Sequence, residues 1–397
     1  LRRLRAVIAP ADGHPGTQQA GTHVFQGRGV FTSANTVRVT SADGKTTDLK
    51  FKKAVIATGG RPTVPNVPGL AEAPYTTNEV LFNLQSLPPR MLVLGAGVIA
   101  LEMAQSFAAF GSKVTVLKRS RLLSSLDEEG GETMEEILTR DGVNILAMTP
   151  EKIVTIKEAD PEDPKSFPLM EVHLKSKDSD EITILETECL LVATGRAPNV
   201  QNLGLDLVNV EYSDKDGIKL DEFGRSVTNP DIYSVGDCAA GLPRLTHVSG
   251  EMAKLVVENS LFGGEWKLSS FVVPAVMYTE PEFATVGLSG SKAVQRSGLE
   301  VDEYKATFQH NDRAILEEEQ DGFVKILCKK GTDEIVGATI ISPRAGEMIN
   351  EVSLAMKNGI GLRGIGRNIH PYPSMGEGVM GPGVQYINSH WKTMKDM

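Results

Sequence analysis

Cysteine is scarce in this sequence. The 397 residues include only Cys189, Cys238 and Cys328, and no two of them lie close together along the chain. Such spacing excludes a Cys-x-x-Cys motif, a zinc site and a disulfide framework built from close pairs. We therefore predict that the three are small buried hydrophobic residues. Long apolar runs are also missing, since no stretch approaches the roughly 20 residues that a membrane helix needs.

Positive charge is in deficit, because 51 acidic residues outnumber 41 basic ones and give a net charge of −10. This balance argues against a nucleic-acid binder and, more weakly, against binding to an anionic membrane. The opening "LRRLRAVIAP" is too short and too charged for a secretory signal. The length allows two or three domains with their own cores. We expect a soluble globular protein, either cytoplasmic or organellar.

One segment carries a nucleotide-binding pattern, "MLVLGAGVIALEMAQSFAAFGSKVTVL". An apolar strand ends at Gly95, which allows a tight turn, and Gly97 lets the backbone approach a pyrophosphate. Ala100 takes the third small position, where helix and strand pack closely. A helix to about Phe110 would direct its amide groups at the phosphates. A dinucleotide site is predicted, with a purely structural glycine turn as the alternative.

The residues after the second strand of this segment bear on which dinucleotide binds. NAD(H) sites usually place a carboxylate there, about 20 residues past the glycine turn, to hold the ribose 2′-hydroxyl. This sequence has Lys118, Arg119 and Arg121 instead. Cations bind a 2′-phosphate, so NADP(H) is favoured over NAD(H). The alternative is that these are solvated surface charges.

Antiparallel meanders flank this segment on both sides, and each feeds a buried strand that ends in Ala-Thr-Gly. The first such strand ends at Thr58-Gly59 and the second at Gly195. A further strand, Ile232–Val235, leads into Gly236-Asp237, and a helix is predicted near Glu251–Leu261. From about Phe271 strands and helices alternate, which indicates a separate α+β domain.

Five segments occur in the order seen in the pyridine nucleotide–disulfide oxidoreductases, the family of glutathione reductase, dihydrolipoamide dehydrogenase and mercuric reductase. They are the glycine-turn segment, "ATGRAPN", "SVTNPDIYSVGDC", "YTEPEFATVGL" and "HPYPSMGEG". The resemblance extends over essentially the whole chain. It implies an α/β fold, with two three-layer nucleotide-binding domains, for FAD and NAD(P), and an α+β C-terminal dimerisation domain.

The resemblance implies four segments: residues 1–85 and 199–268 from an FAD-binding domain, residues 86–198 for NAD(P)H, and residues 269–397 for dimerisation. It makes Asp237 a ligand of the flavin's ribityl chain, and a carboxylate can accept two hydroxyl hydrogen bonds. The helix start at Leu245 and Thr246 resembles the one beneath the flavin's pyrimidine edge. Thr58, Gly59, Gly195 and Gly236 complete the implied cofactor-binding set. Glu102 matches a glutamate near the flavin ring, although by itself it is an ordinary helix residue.

Two family features that precede this region are not in the printed sequence, which begins at Leu1. They are the first GxGxxG, for the FAD pyrophosphate, and the Cys-x4-Cys redox pair. The expectation is that the chain is part of a longer reductase, and the alternative is a naturally shortened protein. The three cysteines match none of the redox positions.

The segment "NIHPYPSMGEG" carries most of the information about the substrate. In the glutathione reductase type, a histidine held by a glutamate handles protons for the partner subunit's dithiol, and His370 fits that position. Glu377 is its candidate partner, at an unusual spacing. The surrounding pattern resembles mercuric reductase, whose tyrosine helps to bind the metal ion, and here that residue is Tyr372. The alternative is a capped loop with a surface histidine.

The sequence therefore predicts a homodimeric flavoenzyme that takes hydride from NADPH and reduces a disulfide or a thiol-bound metal ion. The flavin performs the difficult chemistry while protein groups orient it. One rival is a flavin-dependent NADPH oxidase or quinone reductase that needs no dithiol. The other is an inactive, NADPH-binding dimeric protein.

Overall fold

A computed structural model describes residues 2–163, 165–177 and 179–391. It divides the chain into two compact units, each built from two segments. The first unit joins the residues up to Arg61 to Arg196–Ser270, and the second joins Pro62–Gly195 to the residues from Phe271 onward. This division is coarser than the four predicted domain segments, whose boundaries remain a prediction.

The described residues form ten α-helices and twenty-one strands. The α-helices are α1 (Arg2–Asp12), α2 (His14–Gln19), α3 (Val98–Ala109), α4 (Glu128–Arg140), α5 (Thr246–Leu261), α6 (Ser291–Ser297), α7 (Asp312–Glu317), α8 (Ala345–Lys357), α9 (Leu362–Arg367) and α10 (Glu377–Ser389). The strands are β1 (Arg28–Ser33), β2 (Thr36–Thr40), β3 (Thr46–Lys50), β4 (Ala54–Ile56), β5 (Gly60–Pro62), β6 (Arg90–Leu94), β7 (Lys113–Leu117), β8 (Asn144–Leu146), β9 (Met148–Lys157), β10 (Leu169–Ser176), β11 (Ile182–Thr187), β12 (Cys189–Val192), β13 (Arg196–Pro198), β14 (Tyr212–Ser213), β15 (Gly217–Ile218), β16 (Ile232–Ser234), β17 (Pro274–Met277), β18 (Glu282–Gly287), β19 (Val301–Thr307), β20 (Phe323–Lys329) and β21 (Ile335–Ser342).

Small sheets make up the first unit. The predicted first meander is the antiparallel sheet β1-β2-β3, and β4 pairs in parallel with β16. Its core includes Phe31, Ile56 and Ile232. The sequence predicts a buried strand before Thr58, and this is wrong for Val55, which is 50% exposed. The reason is local: β4 has one strand partner and buries only one of its faces against the core.

Three sheets form the second unit. Strands β12-β6-β7-β8 make a parallel sheet, and the second meander is the antiparallel sheet β11-β10-β9. All four residues of β12 are buried, as expected for a strand inside a parallel α/β layer. The predicted C-terminal α+β region is the five-stranded sheet β17-β18-β21-β20-β19, with α8 and α10 packed on it.

The predicted helices and strands around the glycine turn form where the pattern places them. Helix α3 ends at Ala109 and β7 covers Lys113–Leu117. Helix α5 begins at Thr246, where the family resemblance implies a helix start, and five residues before the start that the sequence pattern alone predicts. Within the described residues, no helix combines the length and apolar character needed to cross a membrane.

Candidate functional site

The glycine turn between β6 and α3 has a backbone that other residues would not allow. Gly95 has φ +120°, and a Cβ added there would lie 2.4 Å from the Ala193 carbonyl oxygen. Gly97 precedes α3 in an extended conformation, and an added Cβ would meet no atom within 4 Å. Ala100 is fully buried, where the helix packs on the sheet. Gly95 and Ala100 are thus fixed by packing, while the space over Gly97 is open.

The open side of this turn faces the amide end of α3. The first turn of any helix has N–H groups without intrahelical partners, and Gly97 has no side chain to cap them. The loop after β7 closes against the turn, since Leu123 N donates to the Ala96 carbonyl at 3.0 Å. Free amides, the positive end of the helix dipole and an accessible backbone fit the pyrophosphate of a dinucleotide.

Of the three predicted cations, two form ion pairs with described residues and one does not. Lys118 forms an ion pair with Glu135 of α4, and its side chain is 16% exposed. Arg121 donates to the Leu126 carbonyl at 2.6 Å and to Glu128 at 3.1 Å. Arg119 is exposed and forms no ion pair with any described residue. Arg119 therefore remains the candidate ligand of a 2′-phosphate, whereas Lys118 is paired with Glu135.

The two Ala-Thr-Gly segments each make hydrogen bonds within their own unit. Thr58 Oγ1 donates to the Asn199 carbonyl at 2.6 Å, and Asn199 N donates to the Gly59 carbonyl at 2.9 Å. In the second unit Thr63 N donates to the Gly195 carbonyl at 2.9 Å. Gly59 and Gly195 have φ +66° and +137°, and a Cβ at either would meet nothing within 4 Å. Both turns therefore leave their backbone accessible.

Asp237 follows β16 in a short 3-10 turn and is 16% exposed. Arg196 donates to its Oδ2 twice, from Nε at 3.1 Å and from Nη2 at 2.8 Å. No described residue donates to Oδ1. A carboxylate oriented through one oxygen, with the other free to accept hydroxyl hydrogen bonds, fits the predicted contact with a ribityl chain.

Helix α5 begins next to this aspartate. Leu245 precedes the helix in an extended conformation and caps it with no side chain, and Thr246, its first residue, is exposed. Gly236 packs close to the helix, because a Cβ there would lie 3.0 Å from Ser249 Oγ. The uncapped amide end of α5 and Asp237 therefore lie near each other in the first unit. Helix amides of this kind suit a polar carbonyl edge such as that of a flavin.

Glu102 points from α3 toward the corner before β18. Its Oε1 accepts a hydrogen bond from Tyr278 N at 2.8 Å. Burial raises the pKa of Glu102, and this hydrogen bond lowers it by a smaller amount. The carboxylate therefore has a structural partner in the second unit, and its placement near a flavin ring stays a prediction.

The partner of His370 differs from the predicted one. His370 Nε2 lies 3.1 Å and 2.9 Å from the two carboxylate oxygens of Glu351 on α8. Its side chain is only 6% exposed, which contradicts the alternative of a surface histidine. Glu377 instead accepts a hydrogen bond from Ser374 N at 3.1 Å. That contact closes the turn before α10, and Glu377 makes no hydrogen bond to His370.

Tyr372 lies in the same loop but is directed elsewhere. It is 72% exposed, and its hydroxyl donates to Asp312 Oδ2 at 2.5 Å. The hydrogen bond to Asp312 raises the pKa of Tyr372 above its usual value, because it stabilises the protonated phenol. His370, Tyr372 and Glu377 thus share one loop and have three separate partners.

Sequence reasoning missed three of the residues that hold this site. They are Glu351, Asp312 and Arg196. Arg196 adjoins Gly195 in "ATGRAPN", so a charged residue next to a predicted cofactor turn could have been noted. Glu351 and Asp312 are 19 and 60 positions along the sequence from the residues they contact, so no local sequence pattern indicates these contacts.

The prediction for the cysteines is confirmed, since all three are buried and free. Burial raises the pKa of Cys189 and of Cys328 to about 12. A thiol with such a pKa is almost entirely un-ionised near neutral pH, and the thiolate is the reactive form. These cysteines are therefore poor redox nucleophiles.

Comparison with known proteins agrees with these features. Residues 14–253 match the family described as pyridine nucleotide-disulphide oxidoreductase, and residues 273–381 match its dimerisation domain. The chain belongs to the pyridine nucleotide-disulphide oxidoreductase family. The predicted α/β fold with a C-terminal dimerisation domain is confirmed.

The relatives within this family include several mercuric reductases. The chain is 33% identical to the enzyme of Acidithiobacillus ferrooxidans, over 90% of this chain and 62% of the relative. It is 32% identical to that of Lysinibacillus sphaericus, over 93% of this chain and 64% of the relative. The chain thus spans less than two thirds of the length of these curated relatives.

Solved structures of the family share the fold. A Cu(II) complex of the HOCl-induced flavoprotein disulfide reductase RclA from Escherichia coli superposes with a TM-score of 0.78 at 25% identity, covering 90% of this chain and 78% of that one. LpdA from Mycobacterium tuberculosis gives a TM-score of 0.82 at 23% identity, covering 97% of this chain and 81% of that one, and supports the fold alone.

Proposed function

We propose that this protein acts as an FAD-dependent NADPH oxidoreductase of the mercuric reductase type, reducing a disulfide or a thiol-bound metal ion. The observation that carries the proposal is the glycine turn at Gly95–Ala100, which packing shapes while the backbone at Gly97 and the amide end of α3 stay open. The mercuric reductases among its relatives indicate the class of acceptor.

The second unit binds NADPH in this proposal. The Gly97 backbone and the first amides of α3 hold the pyrophosphate. Arg119, the uncommitted cation, contacts the 2′-phosphate, while Lys118 and Arg121 hold the surrounding loop in place. NAD(H) would lack that contact and would bind less tightly.

The first unit contributes the flavin ligands. When bound, FAD accepts a hydride from the nicotinamide and passes electrons on to the acceptor. Asp237 Oδ1 accepts from the ribityl hydroxyls, with Oδ2 fixed by Arg196. The Gly59 turn of this unit presents accessible backbone. Leu245 and Thr246 place the amide end of α5 for the pyrimidine edge.

The C-terminal loop completes the site in a homodimer, which the match to a dimerisation domain supports. His370 exchanges protons with the acceptor dithiol, and Tyr372 contributes a hydroxyl ligand to the metal-ion substrate. Asp312 accepts the hydrogen bond of the Tyr372 hydroxyl and holds the protonated phenol in place.

A second candidate is a flavin-dependent NADPH oxidase or quinone reductase that uses no dithiol. Cys189, Cys238 and Cys328 are buried and free, and an enzyme of this second type would need no cysteine. The two candidates differ in their acceptors: disulfides and thiol-bound mercuric ion for the first, oxygen or quinones for the second.

The test is anaerobic spectroscopy of the purified protein loaded with FAD. We expect a bound-flavin absorption band that NADPH bleaches faster than NADH, and that mercuric ion in excess thiol, or a small disulfide, restores. Asp237→Asn should weaken FAD retention about tenfold or more, since the acceptor loses its negative charge and its ion pair with Arg196. Asp231→Asn, at an exposed site beside β16, is the matched control. Protein that retains no flavin would contradict the proposal, and restoration by quinones alone would favour the second candidate.

A further inference from the structure

Lys118 forms its ion pair with Glu135 of α4 at the edge of the proposed nucleotide site. Lys118 is the first residue after β7, and its backbone N donates to the Leu146 carbonyl at 2.9 Å. On the neighbouring strand, Gly95 N donates to the Leu117 carbonyl at 3.3 Å. Lys118 therefore stands beside the glycine turn, at the carboxyl ends of the parallel strands, where α/β sheets bind their ligands.

The ammonium group of Lys118 is held by a single carboxylate. It donates to Glu135 Oε1, and the two side chains are 16% and 32% exposed. No other described residue forms an ion pair or hydrogen bond with the Glu135 carboxylate. Because solvent and salt screen a partly shielded pair less than an exposed one, Glu135 offsets the positive charge that Lys118 brings to this edge of the sheet.

The same face of α4 pairs with Arg121 through a second carboxylate. Glu128 and Glu135 are about two helical turns apart, so their side chains lie on one side of the helix. Glu128 accepts from Arg121 Nη2 at 3.1 Å, and also from Ser291 N at 2.9 Å and Ser291 Oγ at 2.8 Å. Glu128 is thus shared with the start of α6, whereas among the described residues Glu135 holds Lys118 alone. Removing the Glu135 charge therefore frees one cation and breaks no second contact.

We infer that Glu135 is a specificity-determining residue: by holding Lys118 it keeps a second cation from the nucleotide 2′-phosphate and limits the preference for NADPH over NADH. This inference rests on the proposed function, which places NADPH on the glycine turn. The residues about 20 positions past that turn recognise the ribose 2′ group. A phosphate there carries roughly two negative charges near pH 7 and gains from each nearby cation. A ribose hydroxyl carries no charge, so NADH binding is insensitive to the pair.

Two other roles of the ion pair predict different results. If Glu135 oriented Lys118 toward the phosphate, loss of the Glu135 charge would weaken NADPH binding. If the pair only joined the end of β7 to α4, its loss would change the free energy of unfolding and leave the ratio of the two nucleotide affinities as it was.

The test is calorimetric titration of the FAD-loaded protein with NADP⁺ and NAD⁺, the oxidised nucleotides, which bind without turnover. We expect Glu135→Gln to lower the Kd for NADP⁺ about three- to fivefold, the gain from one partly exposed ion pair. The Kd for NAD⁺ should stay unchanged. Glu136→Gln is the matched control, because it removes the same charge from the next position of α4, which is exposed and forms no ion pair with any described residue. Both Kd values should stay unchanged in that variant.

Replacing the lysine changes the affinity in the opposite direction. Lys118→Met leaves the Glu135 carboxylate without its cation, and this charge repels the phosphate, so the Kd for NADP⁺ should rise about three- to fivefold. When Lys118→Met is combined with Glu135→Gln, both charges are absent, and the Kd should return to that of the unaltered protein. A double variant that binds NADP⁺ as weakly as Lys118→Met would show that Lys118 itself contacts the phosphate, and would overturn the inference.

Ionic strength provides a second readout. The tighter NADP⁺ binding of Glu135→Gln should be largest at about 0.01 M salt, where the Debye length is about 30 Å. It should nearly vanish at about 1 M salt, where that length is about 3 Å. A gain that does not depend on salt would indicate altered packing and not a freed cation, and it would also overturn the inference.

The outcomes separate this inference from the function on which it rests. If the unaltered protein binds neither nucleotide, the proposed nucleotide site fails and the inference fails with it. If the unaltered protein binds NADP⁺ while Glu135→Gln behaves like Glu136→Gln, only the inference fails. Weaker NADP⁺ binding in Glu135→Gln contradicts the inference as well, and leaves the nucleotide site standing.

Discussion

In the proposed NADPH site, the partners of single charged side chains matter more than their charges. The sequence predicts both Lys118 and Arg121 as 2′-phosphate ligands. In the structure, each forms an ion pair with a carboxylate of the second unit. Arg119 is the exposed cation that is left over. Nucleotide preference should therefore depend on one arginine.

Replacing Arg119 tests this dependence. We expect Arg119→Ala to raise the KM for NADPH by about 10- to 100-fold, the range for losing a hydrogen bond between charged groups. The KM for NADH should hardly change, because NADH has no 2′-phosphate. Steady-state flavin-linked oxidation of both nucleotides measures this, with Lys113→Ala at the far end of β7 as the control. Equal losses with both nucleotides would contradict a 2′-phosphate contact.

At the scale of the element, the turn from β6 into α3 uses its glycines for different purposes. Gly95 is required by the fold, because φ is +120° and the Ala193 carbonyl occupies the place of a Cβ. Gly97 is not required by the fold, because its φ is −94° and the space beside it is empty. Packing therefore does not explain the glycine at this position. A glycine next to an uncapped helix end is expected where a ligand approaches the backbone closely.

Two alanine substitutions separate these purposes. Gly95→Ala should lower the free energy of unfolding by about 2 kcal/mol or more, through backbone strain and overlap with the carbonyl. Gly97→Ala should change it by less than about 1 kcal/mol. The same variant should weaken NADPH binding, because its methyl group lies between the helix amides and the pyrophosphate. Urea unfolding and nucleotide titration give both quantities. Unchanged NADPH affinity in Gly97→Ala would argue for a purely structural turn.

At the scale of the whole molecule, a buried ion cluster joins the nucleotide-binding part of the second unit to its C-terminal sheet. Lys325 on β20 lies 3.1 Å from Asp127 and 2.8 Å from Glu129, and the side chains of Lys325 and Asp127 are each 7% exposed. Burial alone would lower the pKa of Lys325, but the Glu129 and Asp127 carboxylates outweigh it and raise that pKa. Asp127 also caps α4 by accepting from Gly130 N at 2.9 Å.

Removing the lysine should destabilise the second unit as a whole. Lys325→Met keeps most of the volume but leaves Asp127 as a buried charge without its cation, and such losses cost about 3–5 kcal/mol. Lys329→Met, four residues later on the same strand, is the control, because that lysine is 52% exposed. Its pair with Glu334 should contribute less than about 1 kcal/mol. Equal unfolding free energies for the two variants, measured in urea, would show that the cluster is not a stabilising contact.

The sequence alone determined the family, the order of its elements and the nucleotide turn. These features depend on backbone constraints within a few neighbouring positions: Gly95, Gly97 and Ala100 lie within six residues, and the hydrophobic periods of β6, α3 and β7 are local. The burial of the three cysteines also followed from their spacing and type.

Only the tertiary structure decided the partners of the charged side chains. Lys118 pairs with Glu135 over 17 positions, His370 with Glu351 over 19, and Asp237 with Arg196 over 41. A charged group takes the partner that helix and strand packing brings within hydrogen-bond distance. That packing is set by burial of whole apolar faces, and a short run of residues around either partner does not encode it.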